Sequence, residues 1–229
     1  MTFSLVVRDG DRFGMAASSS SPAVFARVSH LRTGVGAASS QNITDPTLGT
    51  ALLERLAEHG DAERALSQVT GAAEHIDHRQ LTVLGRTGPG FAFSGAHTLG
   101  KHASATADGA VAAGNMLSGE HIPGVLLDAY TAATGELEER LITAMRAAVA
   151  AGGEEGPVYS AGLAVVADVD WRVTDLRVDW ADDPVDRLAE LVGVWLPQRD
   201  DYVRRGLDPA TAPSYGVPGD QRRGAPRDR

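Results

Sequence analysis

Two pairs of helical segments interrupt runs of short strands rich in glycine and alanine, and this order constrains the fold more than any other feature of the chain. Leu48, Leu52 and Leu56 recur at helical spacing, and Leu53 widens their stripe. Asp45-Pro46 starts that helix, with Asp as N-cap and Pro at the first helical position, and Gly60 stops it. Asp61 caps a second helix over 62–73. The later pair closes with a long helix whose face is Leu137, Leu141, Met145 and Ala148, ended by Gly152-Gly153; Pro123-Gly124 sits near the start of its first member. A last amphipathic helix begins at Asp183-Pro184, carries Val185, Leu188, Leu191 and Trp195, and is expected to end at Pro197.

Between the helices the pattern predicts strands over 3–8, 12–17, 34–40, 79–84, 90–94, 101–113, 161–169 and 175–180. Asp9-Gly10-Asp11 is the turn of an opening hairpin, because Asp-Gly supplies the positive φ that tight turns need. The small residues from Gly34 to Ser40 let a neighbouring element approach closely. Helical pairs between groups of antiparallel strands predict an α+β fold, a four-layer αββα sandwich of two antiparallel sheets with helices outside. A two-layer α+β domain is the alternative. Strict alternation of strand and helix is absent, and neither G-x-G-x-x-G nor a Walker motif occurs, which argues against a parallel nucleotide-binding sheet. One domain over 1–198 is expected, followed by an extension over 199–229 rich in Pro, Gly and Arg, mostly irregular and partly disordered.

A formal charge of −9 argues against a nucleic-acid surface or a basic membrane-facing patch. There is no run of about 18 apolar residues to span a bilayer. With no apolar leader at Met1, a cytoplasmic location is expected. The absence of cysteine removes disulfides and thiolate chemistry. His75, Asp77 and His78 are the densest group of possible metal ligands, but their spacing matches no metal motif, so neither metal nor cofactor is expected. Ser160 lacks the G-x-S-x-G elbow of a serine triad.

Thr2 carries the most specific chemistry. Removal of Met1, usual before a small residue, would leave a hydroxyl and a free α-amine on one residue, a nucleophile with its own base. An α-amine with a pKa of about 7.7–8.0 is partly neutral at physiological pH and needs no large shift to act. The opening hairpin returns Ser18, Ser19, Ser20 and Ser21 to the beginning of the first strand, as a polar wall or as a plain polar loop.

Thr2-Phe3-Ser4, the small strand Gly34-Val35-Gly36-Ala37, the run Gln41-Asn42-Ile43-Thr44-Asp45-Pro46, the pair Gly114-Asn115 and the late Asp175-Leu176-Arg177-Val178-Asp179 occur in this order. Together they resemble the domain-of-unknown-function family numbered 1028, grouped with the N-terminal nucleophile hydrolases, over roughly residues 2–196. The resemblance implies an αββα sandwich and amide-bond hydrolysis without naming a substrate. It departs at Gly152 to Ala161, where many relatives carry an arginine and a glutamine and this chain carries neither; if those groups bind substrate, this chain's substrate differs or the role has moved.

Within this reading Asn42 and Asn115, at strand ends, are candidate oxyanion donors. Arg27, His30 and Arg32 are candidates to lower the amine pKa or to clamp a substrate carboxylate, and Ser18 and Ser20 to position substrate. The expected function is amide hydrolysis of a small or peptide-like substrate; the alternative is a non-catalytic ligand-binding or scaffold protein on the same fold. A homodimer through outer helices is expected by analogy with sandwich folds of this type.

Overall fold

The structure is a computed structural model that describes residues 2–217. Its strands are β1 (Thr2–Asp9), β2 (Arg12–Ser19), β3 (Ser29–Arg32), β4 (Gly36–Asn42), β5 (Arg79–Gly85), β6 (Phe91–Ser94), β7 (Ala103–Ala107), β8 (Ala110–Asn115), β9 (Ser160–Val166) and β10 (Arg172–Val178). Its helices are α1 (Phe25–Val28), α2 (Pro46–His59), α3 (Ala62–Ala72), α4 (Ile122–Ala132), α5 (Leu137–Ala150) and α6 (Pro184–Leu207). The strands form two antiparallel sheets, one ordered β10-β9-β2-β1-β8-β7 and one ordered β3-β4-β5-β6. The opening hairpin turns at Gly10, φ 62°, as Asp-Gly predicts. The Asp45 and Asp61 side chains cap α2 and α3 by accepting from the Thr47 and Arg64 N–H groups.

Three apolar cores follow from strand alternation, which sends successive side chains to opposite faces. Phe3, Leu5 and Val7 of β1 pack with Leu126, Leu141, Met145 and Leu188 of α4, α5 and α6. Ala38, Leu81 and Val83 pack with Leu52, Leu56 and Leu66 of α2 and α3. Val6, Phe13, Met15, Ala37, Leu84 and Val111 form a core shared by both sheets.

Several boundaries differ from the sequence reading. Residues 29–32 form a strand that the pattern missed, because four residues carry too little alternation. The single strand expected over 101–113 is two, β7 and β8, turned at Gly109 with φ 65°. The strands expected over 79–84, 90–94 and 101–113 are divided between the sheets: β5 and β6 join one, β7 and β8 the other.

The helix expected to end at Pro197 continues to Leu207. An interior Pro costs about 3 kcal/mol, and tertiary anchors on both sides of it offset that cost. Trp195 Nε1 donates to Thr174 Oγ1 at 3.0 Å, and Arg199 binds Glu136 at 3.0 Å and Glu138 at 3.2 Å. Further on, the Arg205 guanidinium stacks on Tyr215 at 3.9 Å. Residues 199–207 are therefore helical rather than irregular. The last part of the expected disordered tail, 218–229, lies outside the described residues, as does Met1. Asp183 precedes the helix as expected, yet its side chain makes no cap hydrogen bond and pairs with Arg187 at 3.4 Å.

Small residues do allow close approach at β4. A Cβ on Gly36 would stand 2.3 Å from the Leu84 carbonyl oxygen, and backbone cannot swing aside. Gly36→Ala is expected to destabilise by about 2–3 kcal/mol, the upper range for overpacking, lowering Tm by roughly 5–10 °C. Calorimetry checks this; an unchanged Tm would show that β4 and β5 separate easily.

Candidate active site

Alternation also decides which polar groups enter the space shared by the sheets. Thr2 and Ser4 have the parity of Val6 on β1, and Asn115 that of Val111 on β8. Ser19 shares the parity of Ala17, Gln41 that of Ala37, and Gln80 that of Leu84. The shared space is thus polar at the end where β1 begins and apolar at the other.

The polar groups are tied together across the sheets. Ser4 Oγ donates to Gln41 Oε1 at 2.7 Å, and Gln41 Nε2 donates to Gln80 Oε1 at 2.7 Å. Asn115 Nδ2 donates to that same Gln80 oxygen at 3.1 Å. Gln80 Nε2 reaches Ser94 Oγ at 2.9 Å and the Gly114 carbonyl at 3.0 Å. Ser4, Gln41, Gln80 and Asn115 are fully buried, so every one of these bonds replaces lost water. Gln80→Leu would orphan the Gln41 and Asn115 amides at once. A loss of about 2–4 kcal/mol is expected, read by urea denaturation. A change below about 1 kcal/mol would mean the site refills with water or neighbours.

Thr2 lies directly opposite Asn115 in the β1/β8 ladder and is 4% exposed. Directly opposed antiparallel residues have Cα atoms about 4.5–5.5 Å apart, so the two side chains are neighbours on one face. Asn115 Oδ1 is buried without a hydrogen-bond partner among the described residues.

The other sequence candidates divide. Ser18 has the parity of Ala16, which packs toward the helices, and its Oγ donates to the Ser160 carbonyl at 2.9 Å. Ser19, one residue on, holds the face that Ser18 was expected to hold. Ser20 is placed by its N–H, which donates to Glu154 Oε2 at 3.2 Å. Arg27 Nη2 donates to Ser21 Oγ at 2.5 Å, and Ser21 Oγ lies 2.8 Å from Ser19 Oγ. Arg27 therefore joins the rim of the polar end, with its pKa lowered by burial.

Asn42 sits one residue beyond Gln41, on the other face of β4, in the left-handed conformation at φ 74°. Its Nδ2 donates to the His78 carbonyl at 2.6 Å and its Oδ1 accepts the Leu99 N–H at 3.2 Å. Both amide atoms are spent on holding loops together. His30 packs on α2, where a Cβ on Gly49 would stand 2.0 Å from its Cδ2, and burial lowers its pKa. Arg32 pairs with Gly36 at the far end of β4, about 17 Å along the strand from Gln41. His75, Asp77 and His78 lie at the short helical turn Ile76–His78, with the His78 ring 4.8 Å from that of His97. Among the described residues no group of three or more His, Asp or Glu could hold a metal ion.

Sequence reasoning missed Glu154. It is 3% exposed, pairs with Leu117 as an isolated bridge, and points a carboxylate oxygen at the Ser20 N–H. Its other oxygen, Oε1, has no hydrogen-bond partner among the described residues. Burial pushes the carboxyl up to about 7, against the lowering effect of Ser20 and of the chain's amino-terminal charge. The only signal was its place in the Gly152 to Ala161 run, and nothing there separates it from exposed Glu155 beside it.

The larger clefts lie away from this cluster. One of 360 Å³ under α6 is lined by Arg12, Val173 and Arg199, and one of 500 Å³ by Arg32, Trp171 and Arg172. Neither touches Thr2 or Asn115. Both are open surface hollows without the convergent buried polar groups of the hydrogen-bonded cluster. A smaller cleft of 210 Å³ borders Glu154, Gly153 and Val158. Among the described residues no helix is long and apolar enough to cross a membrane.

An α+β chain with two antiparallel sheets and a buried polar cluster at the start of its first strand is the class that fold and cluster define. The chain belongs to the Family of unknown function (DUF1028), whose model matches residues 2–188. It is similar to protein SPO2555 from Silicibacter pomeroyi, a crystal structure of the same family, at 27% identity and TM-score 0.82, over 89% of this chain and 90% of that one. It is also similar to eukaryotic HslV from Trypanosoma brucei, at 15% identity and TM-score 0.47, over 73% of this chain and 100% of that one. No curated protein matches the chain.

Proposed function

We propose that this protein is an N-terminal threonine hydrolase of the αββα class, cleaving an amide C–N bond in a small or peptide-like substrate after Met1 is removed. In this reading the three cores stack as helices, sheet, sheet, helices. The observation that carries it is Thr2, beside Asn115 at the polar end of the space shared by the sheets.

Thr2 Oγ attacks the amide carbonyl while the α-amine takes its proton, directly or through a water. The tetrahedral oxyanion takes the second Nδ2 hydrogen of Asn115, a donor typically worth about 10²- to 10³-fold in rate. Collapse expels the amine with the transferred proton and leaves an ester on Thr2, which water then hydrolyses. Arg27, joined to Ser19 through Ser21, suits a substrate carboxylate at the rim. Ser20 lines the same rim. Asn42, His30, Arg32 and Ser18, expected from the sequence to take part, have no role here because their contacts lie elsewhere.

One observation favours the non-catalytic alternative: Thr2 is only 4% exposed, so a substrate must enter a nearly closed site. A thermal-shift screen of small amides against Thr2→Ala protein, followed by turnover of the hits on wild type, separates the readings. Turnover lost in Thr2→Ala supports hydrolysis; binding without turnover in wild type supports the alternative.

A further inference from the structure

The start of β1 is enclosed on three sides. On one side is the end of β2, fixed by the pair Phe3 and Ser18; on the other is the end of β8, fixed by Thr2 and Asn115. The segment from Gly153 to Glu155 crosses the third side. It is pinned to the β8 edge by Ser118 N–H on the Gly153 carbonyl at 3.0 Å, by the Glu154 and Leu117 bridge, and by Glu155 N–H on the Met116 carbonyl at 3.0 Å. From that edge the Glu154 side chain reaches across to the Ser20 N–H on the β2 side. The strand that lies between those two edges is β1, so the carboxyl spans the place where the chain leads into Thr2.

We propose that Glu154 is a positioning residue whose carboxylate holds the α-amino group of Thr2 once Met1 is gone, which rests on the reading of Thr2 as the mature first residue. Glu154 Oε1 is a buried acceptor with no partner among the described residues, and burying an acceptor without a donor is costly. The Thr2 amine would supply that donor. Held through one N–H, the amine keeps its lone pair for the Thr2 hydroxyl. A buried carboxylate also keeps the ammonium form more stable, so it tunes the base as well as aiming it. The other charged groups nearby are otherwise engaged. Lys101 binds Glu155 at 3.1 Å and the Ser118 carbonyl at 3.2 Å, and Arg27 is turned to Ser21 and the Pro22 carbonyl.

The test is the α-amine pKa, measured by competitive labelling with an amine-reactive reagent between about pH 5 and pH 10, on protein verified by intact mass to begin at Thr2. Cleavage of a fusion supplies that protein if Met1 is retained in the cell. Glu154→Gln is expected to lower the amine pKa by about one unit, a tenfold change in proton affinity. It should also shift the acidic limb of the kcat/KM profile by the same amount in the same direction. Glu154→Ala is expected to lower kcat more than tenfold with KM nearly unchanged, and Glu154→Gln to recover part of the loss. An equal amine pKa in wild type and Glu154→Gln overturns the inference, as does a rise in KM alone, which would place the carboxylate on the substrate. The amine titration needs no turnover. A shifted pKa on a protein without hydrolytic activity therefore upholds this inference and refutes the proposed function, and the reverse result does the opposite.

Discussion

Thr2→Ala protein is expected to lose at least about 10³-fold in kcat, the scale on which removing an activated nucleophile acts. Thr2→Ser should keep turnover within roughly tenfold of wild type, since Ser offers the same hydroxyl and amine. The comparison is clean because β1 does not depend on the Thr2 methyl for its core: Phe3, Leu5, Val6 and Val7 carry that burial. A non-cleavable extension ahead of Thr2 separates the amine from the hydroxyl, because the threonine side chain stays while its nitrogen is tied up in a peptide bond. Intact mass gives the state of the terminus and turnover gives the chemistry. Wild-type protein that is fully active with Met1 retained would end the proposal, because a blocked amine cannot serve as the base.

Arg199→Ala is expected to be the most destabilising single change outside the candidate site. Glu138 is fully buried, and both its oxygens lie 3.2 Å from Arg199 Nη1, while Thr174 Oγ1 donates to one of them at 2.5 Å. Burial opposes the charge on Arg199, but its bonds to Asp200, Glu136 and Glu138 hold its pKa above the ordinary value. Removing one partner of a buried pair leaves the other charge uncompensated, which costs about 3–5 kcal/mol. For a chain of this size that is a fall in Tm of roughly 6–20 °C. The same change should loosen the half of α6 beyond Pro197, visible as faster amide exchange over 198–207. Arg187→Ala is the control: its pairs with Asp183 and Glu190 are solvent-exposed, and Tm should stay where it is. If Arg199→Ala behaves like Arg187→Ala, the helix is held by apolar packing and the polar tether is incidental.

The two cases mark where the sequence could be read and where it could not. The caps at Asp45 and Asp61, the Asp-Gly hairpin and the leucine stripe of α2 depend on residues within one turn of each other, so their pattern was legible. Pro197 was misread because the groups that anchor the helix on either side of it, Thr174 for Trp195 and Glu138 for Arg199, are 21 and 61 residues from their partners in the chain. β3 was missed for a different reason: its four residues are too few to show alternation, and pairing with β4 holds them.

At the candidate site, the sequence by itself determined the chemistry available: a threonine at position 2, no cysteine, and amide side chains near strand ends. Tertiary structure decided which of those groups meet. Strand parity put Gln41 and Ser19 toward Thr2's side and turned Asn42 and Ser18 away, a choice that hangs on a register one residue wide. It also brought Glu154 across from a loop 152 residues downstream of Thr2, and buried it. Spacing along the chain carries no record of that meeting, because a buried acid and an exposed one read alike until the sheets that enclose them have formed.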